Sequence, residues 1–245
     1  MRGLTRKSSE RHTAAADFAV RHSPGDEMAK TQPGTEISNI SSQASTRRLL
    51  YCGAFTPLVF WTTTLICGFV LGNYNHLSRM VSELGTIRTP SQGIFTSGLV
   101  LCSLLSLLFV IGLRRACRHK ELSTVPVWLI LSYSLSIAGA GLFPLPLRLH
   151  GILGMPSFFL LLSPLTAFLL WPKTRAPSHL KAMACVAFAI MSLGFLIFFP
   201  SILSSLLGLK QRFFHLGWSV WFMYLSVSFI QAMKSKPPQL RSMGA

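Results

Sequence analysis

Charge is what this chain most lacks. Of its 245 residues only 12% are Asp, Glu, Lys or Arg, about half the share of an ordinary soluble domain, and half are apolar. Acid is scarcest: seven Asp and Glu stand against 23 Lys and Arg, for a formal charge of +16. A sequence so poor in charge belongs with membrane proteins rather than soluble enzymes. The long apolar stretches hold no Asp, Glu, Lys or Arg in their central thirds, so the relay of an ion-coupled transporter is missing. There is no phosphate-binding G-x-x-x-x-G-K-[ST], no nucleophile elbow and no internal repeat. The five cysteines show neither disulfide nor metal-ligand spacing, and read as small buried apolar residues, with Cys117 in a reducing cytoplasmic loop. Neither a metal nor another cofactor is implied.

What is present is a series of six apolar segments, each close to the roughly 20 residues that span a bilayer as a helix. They run over 49–72, 93–113, 125–143, 151–171, 182–201 and 213–233. The fold class is therefore all-α: a polytopic membrane bundle of six transmembrane helices over 47–234. Residues 1–46, polar and rich in Ser, Thr and Ala, read as a disordered cytoplasmic tail, and 235–245 as a second cytoplasmic tail. Gly68 and Gly72 form a small-xxx-small pair expected to admit another helix, and Ser132, Ser136 and Gly139 to Gly141 give the third span a small face. Pro156 and Pro164 are expected to kink the fourth span, with neighbouring helices satisfying the freed carbonyls.

Basic residues orient the bundle. With the N-terminus inside, the tails and the second and fourth loops hold 18 Lys and Arg, and the other three loops hold five: Arg79, Arg88, Arg148, Lys210 and Arg212. The positive-inside rule then puts both termini in the cytoplasm. Because the basic residues flank spans instead of gathering on one folded face, their partners are membrane lipids and not nucleic acid.

This orientation delivers most polar residues of interest to the outer face. The stretch Asn75 to Gly85 carries Leu77, Met80, Val81 and Leu84 at helical spacing, with His76, Arg79 and Glu83 on another face. It reads as a short amphipathic helix, capped by Asn75 and stopped by Gly85, holding the sole acid of the outer side. A candidate polar site follows from Glu83, His150, Arg212, His215 and His76. Its uses would be an amphiphile-binding pocket, a lipid- or isoprenoid-modifying active site, or the path of a small-solute permease. Arg148, Lys210 and Arg212 would suit a phosphate headgroup, and the three histidines with Glu83 a metal. The structural alternative is a pairing of Glu83 with Arg79 on its own helix, or with Arg148 or Arg212 across loops.

Three motifs carry a resemblance. Ser82-Glu83-Leu84-Gly85, followed by Pro90 and Phe95-Thr96-Ser97-Gly98, resembles the SELG…P…F-x-x-G pattern of the domain-of-unknown-function 998 family. Gly141-Leu142-Phe143-Pro144 with His150-Gly151 is similar to its second signature, and Gly208 to Arg212 to its third. Together they cover about residues 48–233. The resemblance implies a six-helix integral membrane protein of a bacterial inner or archaeal plasma membrane, without assigned biochemistry. It also implies a departure, because Leu145-Pro146-Leu147 stands where the family often carries an Asp.

Overall fold

A computed structural model describes residues 33–234 of the chain. The two expected tails therefore lie outside the described residues, except for 33–46, which are helical. Seven α-helices run in order: α1 Pro33–Leu71, α2 Gln92–His119, α3 Val125–Leu142, α4 Arg148–Gly154, α5 Leu162–Leu170, α6 Leu180–Leu193 and α7 Leu207–Lys234. Three 3-10 segments, Val81–Gly85, Met155–Leu161 and Gly194–Phe198, complete the described structure. Among the described residues six stretches are long and apolar enough to cross a membrane: Ser41–Leu71, Gln92–His119, Val125–Leu142, Arg148–Leu170, Leu180–Phe198 and Leu207–Lys234. The protein is an all-α, multi-pass membrane bundle.

Helix α1 packs on α2 and α7, α2 on α3, and α6 on α7. In a bilayer apolar helices gain little by leaving lipid for one another, so fit and interhelical hydrogen bonds decide the arrangement. An aromatic column supplies the fit. Phe60, Tyr133, Trp218 and Phe222 meet at centroid distances of 5.0 to 5.6 Å. Side chains supply the bonds: Trp221 Nε1 donates to Ser163 Oγ at 3.0 Å, and that hydroxyl donates to the Pro126 carbonyl at 2.9 Å, tying α7 to α5 and α3.

The fourth span is broken as its prolines predict, and its neighbour answers. Between α4 and α5 the chain is 3-10 over Met155–Leu161. Ser136 Oγ lies 2.5 and 2.7 Å from the Leu153 and Gly154 carbonyls and accepts from Ser157 N–H at 3.1 Å. Three expectations need correction. The sixth span starts at Leu207 instead of 213, the fifth changes to 3-10 at Gly194, and Gly68 receives no helix. The loop after α1 folds back instead, and a Cβ on Gly68 would meet the His76 and Tyr74 rings. Gly72 makes that return possible by adopting φ +71°.

Candidate functional site

The loop between α1 and α2 was expected to carry an α-helix over 75–85, yet only the 3-10 turn Val81–Gly85 forms. Asn75 does cap, its Oδ1 accepting from the Leu77 and Ser78 N–H groups at 2.9 and 3.3 Å. The helix does not propagate because α7 takes its hydrogen bonds. Leu77 O, which an α-helix would offer to Val81, accepts from Leu209 N–H at 2.8 Å, and Val81 N–H donates to Gln211 Oε1 at 2.6 Å. Gly85 is not a left-handed stop; it packs against α2, where a Cβ would meet the Phe95 ring.

Glu83 is tied within its own turn. Oε2 accepts from Arg79 Nε at 2.8 Å and Oε1 from Met80 N–H at 2.8 Å. Arg212 is a staple between α7 and the loop: Nη1 donates to Arg79 O, and Nη2 to Tyr74 Oη and His76 Nδ1, each at 3.0 Å. Burial, then the adjacent Arg212 charge, lowers the His76 pKa from its ordinary 6.5. Burial raises that of Tyr74, against the opposing effect of Arg212. Lys210 is buried with Nζ donating to Phe199 O at 3.0 Å, and Arg148 is exposed. The cations expected to hold a phosphate are thus engaged by protein oxygens or turned outward. Among the described residues no group of three or more His, Cys, Asp or Glu is placed to hold a metal ion.

His150 and His215, by contrast, come together at a cavity of about 220 Å³. Its walls are apolar side chains such as Phe60, Phe95, Leu99, Ile137, Phe158 and Phe214. Residues with polar side chains also line it: Ser82, Tyr133, Ser136, Ser157 and Gln211, besides the two histidines. Among the described residues no Asp, Glu, Lys or Arg lines it, and neither Glu83, Arg212 nor His76 is in its wall. All three 3-10 segments contribute, through Val81 and Ser82, Met155, Ser157 and Phe158, and Gly194 and Ile197. Non-helical backbone at membrane depth is tolerated where it lines such a space. The cavity opens beside α4, where the lining residues Gly151 and Met155 are exposed.

The hydrogen-bonding character of the wall follows from its partners. Trp218 Nε1 donates to His215 Nδ1 at 3.1 Å, and because an indole nitrogen can only donate, the His215 proton sits on Nε2. His150 Nδ1 lies 3.0 Å from both the Ala140 and Phe143 carbonyls, so it bears the proton and leaves Nε2 as an acceptor in the neutral ring. Tyr133 is 1% exposed. Among the described residues neither its hydroxyl nor His215 Nε2, both buried, has a hydrogen-bond partner. Two orphaned polar atoms on residues that line one cavity are costly unless a bound group meets them, since each forfeits its solvation without return.

Sequence reasoning passed over Tyr133, though a phenol midway along a span is itself a signal, its hydroxyl needing a partner in hydrocarbon. A family model described as a protein of unknown function (DUF998) matches residues 54–228, the span that includes every wall of the cavity. No curated protein and no solved structure matches the chain.

Proposed function

The chain belongs to the DUF998 family of proteins of unknown function, and we propose that this integral membrane protein binds a lipid or other amphiphile in the cavity between α3, α4 and α7. One observation carries the reading: the buried, unpartnered Tyr133 hydroxyl and His215 Nε2 in a wall that is otherwise largely apolar. An amphiphile is the ligand class that meets both, with a polar group for the orphans and a chain for the aromatic walls and the lipid outside. The basic-residue count supports cytoplasmic termini in a cell membrane, which turns the mouth beside α4 toward the outer leaflet. His150 and His215 stand in the ligand site, while Glu83, His76 and Arg212 shape it from behind by holding the turn that presents Val81 and Ser82.

Photo-crosslinking tests this on the purified full chain in nanodiscs, with diazirine-bearing oleic acid and diazirine-bearing monooleoylglycerol as probes. At least one probe is expected to mark peptides containing Met155, Phe158 or Phe214. Gly151→Phe should abolish that labelling without loss of fold, because a Cβ at Gly151 meets nothing within 4 Å. Labelling spread evenly over the lipid-exposed helices, and unchanged in Gly151→Phe, would sink the proposal.

A further inference from the structure

We infer that the ligand's polar group is uncharged and presents an acceptor oxygen, as in a long-chain alcohol or an acylglycerol, which Tyr133 and His215 both bond. This rests on the amphiphile reading above and narrows it to a headgroup class. The first ground is that, among the described residues, none that lines the wall carries a formal charge. A phosphate, carboxylate or ammonium entering there would lose its hydration and gain no counter-ion, a penalty far larger than one hydrogen bond. The nearby cations do not relieve it: Arg212 donates to Arg79 O, Gly208 O, Tyr74 and His76, and Lys210 to Phe199 O.

The second ground is the polarity of the orphans. With its Nδ1 taken by Trp218, His215 keeps one unused N–H donor, and the Tyr133 hydroxyl is a second, both on residues that line the cavity. The two rings flank the same indole, with centroids 6.4 and 5.0 Å from Trp218. Two donors in one apolar wall suit the two lone pairs of a carbonyl, ester or hydroxyl oxygen. His150 Nε2, an acceptor, complements them by taking the proton of a hydroxyl. A neutral alcohol or acylglycerol uses all three groups, whereas an alkane uses none.

Competition against the diazirine-bearing monooleoylglycerol distinguishes headgroups on one chain length. Oleyl alcohol is expected to displace the probe at concentrations lower by at least about tenfold than oleic acid at pH 8, oleylamine or oleyl phosphate, the ratio worth about 1.4 kcal/mol. Tyr133→Phe, which keeps the ring and its packing, should weaken oleyl alcohol about tenfold and leave 1-octadecene unaffected. Stronger competition by any of the charged amphiphiles, or an unaltered oleyl alcohol affinity in Tyr133→Phe, overturns the neutral-headgroup assignment while leaving amphiphile binding intact. Absence of cavity labelling by both probes removes the amphiphile reading itself, and this inference with it.

Discussion

At the scale of single residues, the histidines divide by what their second nitrogen does. His76 is a structural acceptor: Arg212 donates to its Nδ1, and protonation would set an imidazolium against a guanidinium. Its folded pKa lies below the ordinary 6.5, so the stabilisation is complete above that value. It is lost as pH falls, because below 6.5 the unfolded chain takes up a proton that the folded one refuses. Thermal stability in detergent should therefore decline from about pH 6.5 downward, and His76→Asn should flatten that part of the profile; an unchanged slope in the variant would assign the decline elsewhere. Arg212 and Glu83 fall on the same structural side, the one stapling the loop to α7 and the other closing its own turn. Of the five candidates read from the sequence, His150 and His215 line the cavity, whereas Glu83, Arg212 and His76 do not. In Ser82-Glu83 and Gln211-Arg212 the charged member attracted attention, while the uncharged one reaches the wall. Charge marks residues expensive to place in a membrane, but here that expense is met by backbone carbonyls and a carboxylate within the loop–α7 junction.

At the scale of elements, the breaks matter more than the helices. Six spans were legible because apolar runs of bilayer length admit few other readings, and the kink of the fourth was legible from Pro156 and Pro164. The missing helix at 75–85 was not, because its hydrogen bonds are claimed by Leu209 and Gln211, more than 120 residues away. Local periodicity carries no information about such a competitor. The same junction explains Gly208, where a Cβ would collide with the Arg79 carbonyl, so α7 begins where only glycine lets the loop approach. Ser136 does for the broken fourth span what Gln211 does for the loop. Ser136→Ala removes a donor to Leu153 O and Gly154 O and an acceptor for Ser157 N–H. The expected loss is about 1 kcal/mol in reversible unfolding in mixed micelles, somewhat above the average for a hydrogen bond between membrane helices. A neutral result would mean that the 3-10 segment holds itself without α3.

For the whole molecule, the cavity is a product of topology that no local pattern in the chain announces. Its walls come from α1, α2, α3, α4 and α7 and from three irregular segments, all gathered toward the end of the bundle that carries the loop after α1. That end is poor in basic residues. Among the described residues the opposite end holds most of the Lys and Arg, and there the Glu121–Arg175 pair, at 2.7 Å, links the loops after α2 and α5. Under the positive-inside rule this difference in charge predicts a cytoplasmic basic end, and with it an outer-leaflet source for the proposed ligand. Cysteine labelling on intact cells tests the orientation, in a background with the five native cysteines replaced. Ser78 and Lys173 are both exposed and lie in loops at opposite ends. A membrane-impermeant maleimide should label Ser78→Cys directly and Lys173→Cys only after permeabilisation. The reverse pattern would turn the mouth beside α4 toward the inner leaflet, and a neutral amphiphile would then enter from the cytoplasmic side through the same uncharged wall.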